Sequence, residues 1–289
     1  MKITFLGTGA AELYPGAWCQ CDYCTYARTH GGRNVRFTSS IHFADKCLVD
    51  FPADVFNKAA QYGVDLLGTE LLLCTHPHED HFDPQMLYWR YRAYGADALP
   101  ESERYAAPCA RFGELPLLRV FGNRGVWARM NAIFGNREVA DYAMDFTIPQ
   151  VYQEYHHAGV DFIPMIASHM EGGERGMIYL IHAQGKTFLY ATDSDTYVER
   201  TRDCLRAHKV DAVIMEATFG EVNKGRGHMT LGRVWDEVRF FEENGLFNGE
   251  PQVWLTHMSP HRTPPYDLLC PMLEGTCVRS AYDGMTLEL

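Results

Sequence analysis

One short segment of the sequence concentrates side chains that bind metals. The apolar run 71–74 is followed directly by Thr-His-Pro-His-Glu-Asp-His, which supplies His76, His78, Asp80 and His81. Alternate residues of an extended loop share a face, so the first two histidines can point the same way while the other two donors turn toward a second point. Imidazole and carboxylate together suit zinc, manganese or iron. Because one loop supplies too few ligands for two metals, we expect further donors just beyond other strands.

Three further donors occur in that kind of position. Shortly after apolar, strand-like runs come His169 (run 160–166), Asp193 (run 187–190) and His257 (run 253–255). A lone histidine or aspartate in such a place is usually a helix cap or a solvated loop residue. Together with the His-rich segment, however, the three predict a metal site assembled from several loops.

A separate metal-binding pattern lies near the N-terminus. Cys19, Cys21 and Cys24 form a Cys-x-Cys-x-x-Cys pattern after a loop that contains Gly and Pro. Three thiols cannot all pair as disulfides, but they make three of the four ligands of a tetrahedral zinc site. The chain has nine cysteines, and an odd number argues against a disulfide framework. The alternative interpretation is three reduced cysteines in the core.

The composition fits a soluble enzyme that acts on a small molecule. The 289 residues are 46% hydrophobic, which is enough for a sizeable core, and their formal net charge is −11. This charge argues against a large RNA or DNA partner, which usually meets a basic face. No apolar run reaches the ~18 residues needed to cross a bilayer, and the N-terminal apolar stretch is too short for a signal peptide. We therefore expect a cytoplasmic protein with no membrane partner, and a homodimer is compatible with the sequence.

A strand-rich framework must position these donors. Strands are predicted at 3–6, 39–43, 47–49, 71–74, 160–166, 177–181, 187–190, 210–215, 253–255 and 285–289. Helices are predicted at 53–62, 84–94, 196–208, 230–244 and 265–274. This order suits two sheets with helices on the outside, in a single domain spanning 1–289. The segment 96–157 is rich in aromatics and arginines and has weak periodicity. We interpret it as an insertion or lid over the site, or as a helical elaboration packed on the edge.

The order of the metal-binding residues is similar to that of a known superfamily. The motif His-x-His-x-Asp-His, followed by a later His, an Asp and a final His, resembles the signature of the metallo-β-lactamase superfamily. The resemblance extends over essentially the whole chain, from Gly7-Thr8-Gly9 to the terminal Tyr-Asp-Gly-Met at 282–285. It implies an α/β (α+β) fold, namely a four-layer αββα sandwich with the site at one edge between the sheets.

The resemblance also implies which residues hold each metal. Of two divalent ions, zinc or manganese, the first would be held by His76, His78 and His169, the second by Asp80, His81 and His257, and Asp193 would bridge both. The pair would lower the pKa of a bridging water and polarise the electrophile, which makes the protein a metal-dependent hydrolase. Asp80 would also orient the nucleophile.

A second pair of motifs resembles those of phosphodiesterases such as tRNase Z. Glu-Ala-Thr-Phe begins at Glu216, and Gly-His-Met-Thr covers 227–230, with methionine where that group has serine. The resemblance implies that His228 protonates the leaving oxygen as a general acid and that Glu216 holds the orientation of this histidine. The alternative for His228 is a residue that merely precedes a helix.

Three nearby residues are candidates for substrate contacts. Lys224 and Arg226 lie just before His228 and could steer a phosphate, and Thr230 follows it. The alternative for the two basic residues is an ordinary solvated loop.

The cysteine pattern resembles that of phosphoribosyl cyclic phosphodiesterases of phosphonate breakdown. In those enzymes a matching cluster is completed by a histidine shortly after the last active-site histidine. Here His261 takes that place, one residue further along than the family spacing. The resemblance therefore implies a structural zinc held by Cys19, Cys21, Cys24 and His261, which would pin the N-terminal loop to the loop carrying His257.

The leading functional prediction is a phosphodiesterase that cleaves a small phosphodiester, including a cyclic one, through a metal-bridging hydroxide. A non-hydrolytic oxidative role, as in the pyrroloquinoline quinone biosynthesis protein B, would have no use for a leaving-group acid. Thioester, lactone or β-lactam hydrolysis would use the same metals but would leave His228 unexplained. A binding protein on an inactive scaffold would usually have lost ligands, and none is lost here.

Overall fold

Two sheets form the framework of the molecule. The structure, a computed structural model, describes residues 1–90, 115–135, 137–171, 173–222 and 227–289, and within them each sheet has seven strands. The first sheet contains β1 (Lys2–Gly7), β2 (Ser40–Phe43), β3 (Cys47–Val49), β4 (Leu71–Leu73), β5 (Leu118–Phe121), β6 (Met144–Thr147) and β14 (Thr286–Glu288). The second contains β7 (Tyr155–His157), β8 (Val160–Glu171), β9 (Glu174–Ala183), β10 (Lys186–Ala191), β11 (Ala212–Glu216), β12 (Val253–Thr256) and β13 (Val278–Ser280).

Each sheet is antiparallel in one half and parallel in the other. The spatial orders are β14-β1-β2-β3-β4-β5-β6 and β13-β12-β11-β10-β9-β8-β7. Strands β3 to β6 run parallel to one another, and so do β10 to β13. Because parallel strands end at the same edge of a sheet, the loops that follow them are brought together.

Helices cover the outer face of each sheet. They are α1 (Asp22–His30), α2 (Val55–Tyr62), α3 (Arg124–Phe134), α4 (Glu199–Leu205), α5 (Leu231–Glu243) and α6 (Tyr266–Leu273). Helices α2 and α3 pack on the first sheet, and α4, α5 and α6 pack on the second. The layers therefore run helix, sheet, sheet, helix, which confirms the predicted αββα sandwich. In the described part of the chain, no helix is long and apolar enough to cross a membrane.

Alternation along the central strands separates the inner core from the outer ones. Leu71 and Leu73 of β4 face the opposite sheet, whereas Leu72 between them packs against α2 and α3. In β11, Ile214 faces inward and Met215 packs under the helices of the second sheet. Since successive side chains of a strand point to opposite faces, a strand buried on both sides must be apolar throughout. This explains why these strands appear in the sequence as continuous apolar runs.

All ten predicted strands are confirmed, and four others were missed. The missed strands are β5, β6, β7 and β13, each of three or four residues. Helices α2, α4, α5 and α6 lie within the predicted segments, whereas α1 and α3 were not predicted. Strands this short show too few alternations for periodicity to identify them, and they are stabilised by pairing with distant neighbours.

Two predictions between residues 84 and 157 need correction. The helix predicted at 84–94 is a 3₁₀ helix over Pro84–Arg90, with buried residues at Pro84 and Leu87, and 91–94 lie outside the described residues. Burial at every third residue suits three residues per turn. The insertion predicted at 96–157 is wrong in its second part, because 118–157 include three strands of the two sheets and α3. Residues 96–114 lie outside the described residues.

Candidate metal centre

The predicted metal ligands meet at one edge of the sandwich. The 76–81 loop follows β4, Asp193 follows β10, His257 follows β12, and Glu216 is the last residue of β11. His169 lies near the end of β8, which runs in the same direction as β10. Residues separated by up to 181 positions therefore share one site, because strands of the same direction end at the same edge.

One group of donors consists of three histidines. Ligand atoms of His76, His78 and His169 all lie within 4.8 Å of one another. His76 Nε2 and His78 Nδ1 are 2.8 Å apart, and the buried Nε2 of His169 has no hydrogen-bond partner among the described residues. Burial lowers the pKa of both His76 and His169, so these rings are neutral and can offer lone pairs.

A second group combines histidines with carboxylates. Asp80, His81 and His257 have ligand atoms within 4.8 Å of one another. Asp193 Oδ2 lies 2.7 Å from His81 Nε2 and 3.2 Å from His257 Nε2. Asp193 also belongs to groups that contain His76 or His169, so its carboxylate lies between the two sets. This is the arrangement that the predicted ligand assignment requires.

Hydrogen bonds behind the cluster orient two of the rings. His81 Nδ1 donates to Asp50 Oδ2 at 2.7 Å. His257 Nδ1 lies 2.8 Å from Thr218 Oγ1, which accepts from it because the threonine hydroxyl donates to the His257 carbonyl. The Nε2 atoms of both rings then face the site, where the two nitrogens are 3.0 Å apart. Two imidazole nitrogens that converge in this way beside carboxylates are donors that a divalent metal ion binds, so the donor set fits a metal ion.

The charge of the site supports the same fit. Burial alone would lower the pKa of His81, but the carboxylates of Asp193, Asp80 and Asp50 outweigh it and raise that pKa well above its ordinary value. Burial would raise the pKa of Asp80, yet the neighbouring imidazoles of His81 and His257 hold it well below its usual range. Asp80 and Asp193 are thus held in the ionised form beside the histidines, and the site favours positive charge, which a divalent cation supplies.

The predicted acid and its orienting carboxylate lie beside these donors. His228 Nδ1 lies 3.1 Å from Glu216 Oε2 and 3.6 Å from Asp193 Oδ1. Fully buried Glu216 also accepts the backbone N–H groups of Ser194, at 2.6 Å, and Met229, at 3.2 Å. Burial alone would lower the pKa of His228, but Glu216 and then Asp193 raise it to about 9. Glu216 therefore favours the protonated form of His228.

The predicted substrate-binding residues are only partly described. Lys224 and Arg226 lie outside the described residues. Thr230 is buried, and its Oγ1 accepts the backbone N–H of Arg233 at 3.3 Å, which caps α5. The structure thus gives Thr230 a helix-capping role, and its contact with substrate stays a prediction.

The cysteine cluster assembles as predicted. Ligand atoms of Cys19, Cys21, Cys24 and His261 all lie within 4.8 Å of one another, and His261 Nδ1 is 3.1 Å from Cys19 Sγ. Hydrogen bonds from the backbone and thiol of Cys21 lower the pKa of Cys19 to about 6. A Cβ on Gly16 would lie 3.3 Å from Cys19 Cβ and 3.4 Å from the His261 ring, so the loop packs closely around the four donors. Three sulfurs and one imidazole suit tetrahedral zinc.

An open cleft gives access to the metal donors. Its volume is about 790 Å³, and the 77–80 loop, including His78 and Asp80, forms one wall. The other lining residues are Ala11, Leu13, Thr38, Ala53, Asp54 and Arg129. Arg129 donates to the Pro77 carbonyl at 3.0 Å and so ties α3 to the ligand-bearing loop. A cleft of this size admits a small molecule.

Four residues that shape the site were missed by the sequence analysis. Asp50 follows the strand at 47–49, and the rule that found the other donors could have found it. Thr218 lies inside the Glu-Ala-Thr-Phe motif, but nothing in the motif shows that it contacts an imidazole. Asp195 and Arg233 form an ion pair beside His228 that gave no signal, because the two are 38 residues apart.

Comparisons with known proteins identify the fold. No protein-family model matches the sequence, and no curated protein matches it. A solved diphosphatase of the PhnP family shares 18% identity and a TM-score of 0.71, over 100% of this chain and 96% of that one. Zn²⁺-bound PqqB from Methylobacterium extorquens shares 16% identity and a TM-score of 0.70, over 100% of both chains. Human tRNase Z, short form, shares 17% identity and a TM-score of 0.61, over 100% of this chain and 99% of that one. Identities this low establish the architecture alone, and by that measure the chain has the metallo-β-lactamase fold.

Proposed function

We propose that the protein is a metal-dependent phosphodiesterase that cleaves a small phosphodiester, including a cyclic one, with His228 as the general acid. The observation that carries this proposal is the Glu216–His228 pair, which lies 3.1 Å apart beside the metal donors. Because Glu216 holds Nδ1, the opposite nitrogen of the ring, Nε2, is left to donate a proton to substrate. A poor leaving oxygen needs such a proton, and a protonated histidine of raised pKa supplies it at neutral pH.

The donor set would hold two divalent ions. His76, His78 and His169 would hold one ion and Asp80, His81 and His257 the other, with Asp193 shared between them, as zinc or manganese. When bound, such a pair supplies an activated water and neutralises charge on the phosphate. Asp50 and Thr218 hold the rings of His81 and His257 in the orientation in which they would bind the ions.

A small substrate is favoured by the cleft and by the charge. The cleft measures about 790 Å³, and the chain carries a formal net charge of −11, which disfavours a long nucleic acid. Two proteins with the same fold are described as a diphosphatase and as tRNase Z, which supports a phosphate-containing substrate in this proposal.

Two phosphodiesters that differ in leaving group test the proposal. Purified protein with Zn²⁺ or Mn²⁺ should hydrolyse bis(p-nitrophenyl) phosphate, which has a good leaving group, and diphenyl phosphate, which has a poorer one. His228→Ala should lose on the order of 10²- to 10⁴-fold in kcat on diphenyl phosphate, and less on the activated ester, while retaining its metal. His182→Ala, at an exposed histidine of β9, is the control. Hydrolysis of neither ester, or equal rates for His228→Ala and the wild type on both, would refute the proposal. Turnover of a thioester or lactone alone would redirect it.

The cysteine cluster would bind a third, structural zinc. Four donors within 4.8 Å support this assignment, and the zinc would join the 16–24 loop to the segment that follows His257. Elemental analysis should find one zinc fewer in Cys19→Ser, with the active-site pair retained. Cys204→Ser, at a half-buried cysteine of α4, should keep the wild-type content. Equal zinc in all three proteins would exclude the structural site.

A further inference from the structure

Three consecutive residues after β10 contact three different parts of the active site. Asp193 lies among the metal donors. The backbone N–H of Ser194 donates to Glu216 Oε1 at 2.6 Å. Asp195 Oδ2 accepts the backbone N–H of Gly227 at 3.3 Å. The loop therefore connects the metal site, the orienting carboxylate and the segment that carries the general acid.

Arg233 completes the connection from α5. Its guanidinium donates to Asp195 Oδ2 at 2.6 Å and, through the same nitrogen, to the carbonyl oxygen of His228 at 3.2 Å. Asp195 thus holds the peptide group before Gly227, and Arg233 holds the peptide group that follows His228. The side chains of this pair are 16% and 31% exposed, so water screens the interaction only in part.

The contacts of Asp195 and Arg233 restrict the backbone that carries the general acid. Glu216 fixes one nitrogen of the ring, but a ring on an unfixed backbone can still tilt about that contact. Gly227, directly before His228, adopts φ of +89°, a conformation that only glycine adopts readily. Because glycine has no side chain, it does not itself restrict the backbone at this point. Misplacement of a catalytic group by about 1 Å can reduce a rate on the order of 10²-fold.

We propose that Asp195 and Arg233 are positioning residues for His228, which tie the placement of the general acid to the loop that carries the metal ligand Asp193. The inference rests on the proposed function, because it assigns the pair a role in the same reaction. Neither residue touches the reacting atoms. Their effect is expected only where His228 donates its proton.

Arg233→Gln and a matched control test the idea. The variant should lose on the order of 10- to 100-fold in kcat on diphenyl phosphate, with KM and metal content unchanged and a much smaller loss on bis(p-nitrophenyl) phosphate. Arg233→Lys keeps the charge and should recover part of the rate. Arg239→Gln breaks an exposed ion pair on the same helix, in which Arg239 Nη1 lies 3.5 Å from Asp236 Oδ1, and should behave as wild type. Full activity of folded Arg233→Gln, or equal losses on both esters, would overturn the inference.

A double-mutant cycle separates this inference from the proposed function. In the His228→Ala background, Arg233→Gln should cause no further loss, because the group it positions is absent. The same fold-loss in both backgrounds would overturn the positioning role while leaving the general acid intact. If His228→Ala itself keeps the wild-type rates, the proposed function and the inference both fail. Asp195→Asn provides a second route if Arg233→Gln does not fold, and it should show the same dependence on His228.

Discussion

Replacing Glu216 with glutamine should lower the pKa of the general acid. The pKa of His228 is raised to about 9 from an ordinary value of 6.5, although burial alone would lower it, and Glu216 contributes most of the increase. Without that charge, burial and the weaker effect of Asp193 remain. We expect the pKa to fall by about 2 to 3 units, equivalent to roughly 3 kcal/mol in favour of the neutral ring.

The sign of the effect on rate follows from the protonation state. A general acid works only when protonated, so the rate is present below its pKa and is lost as the pH rises through it. For the wild type, kcat on diphenyl phosphate should decline at about pH 9, whereas for Glu216→Gln the decline should come near or below 6.5. The measurement is a profile of kcat against pH at saturating metal.

A matched variant and a stability check complete the experiment. Glu243→Gln, at an exposed position at the end of α5, should keep the wild-type profile. Glu216 accepts two backbone N–H groups as well as the ring, so thermal unfolding must show that the glutamine variant is folded. A decline at the same pH in wild type and Glu216→Gln would show that Glu216 does not set the pKa of the acid.

Two further predictions concern the framework of the site. Gly7→Ala should reduce the free energy of unfolding by about 3 kcal/mol or more, because a Cβ there would lie 2.0 Å from a backbone carbonyl oxygen. A Cβ at Gly68 would meet open space, so Gly68→Ala should change the free energy of unfolding little. Equal urea midpoints for the two variants would contradict this. Asp50→Asn should weaken metal binding on the order of 10- to 100-fold in a zinc titration, because it weakens the hydrogen bond that orients His81, whereas Asp65→Asn, at an exposed position, should not. Unchanged affinity in Asp50→Asn would show that this carboxylate does not support the metal site.

Much of the candidate metal centre could be predicted because its donor residues follow strands of obvious character. The run at 71–74 is apolar because β4 is buried on both faces, and the donors after it stand out against that run. The same holds for Asp193 after β10 and His257 after β12. Local hydrophobicity marked where these strands end, and the parallel arrangement brought those ends to one edge.

The parts that could not be predicted depend on contacts between distant segments. Strands β5, β6 and β13 are too short to show a period and are formed by pairing with neighbours already in the sheet. The segment at 84–90 has helical character in sequence, but packing buries every third residue and yields a 3₁₀ helix. In these places tertiary packing outweighed local propensity.

The amino-acid sequence by itself determined the donors, their order and the fold they imply, because metal-binding chemistry requires particular residue types and spacing. The pairings among them were decided only by the tertiary structure. A hydrogen bond such as His81 to Asp50, or an ion pair such as Asp195 to Arg233, depends on two distant segments of the chain meeting in space. No local property of either segment specifies its partner, since a hydrogen bond requires two atoms about 3 Å apart, and here they belong to segments that are far apart in sequence.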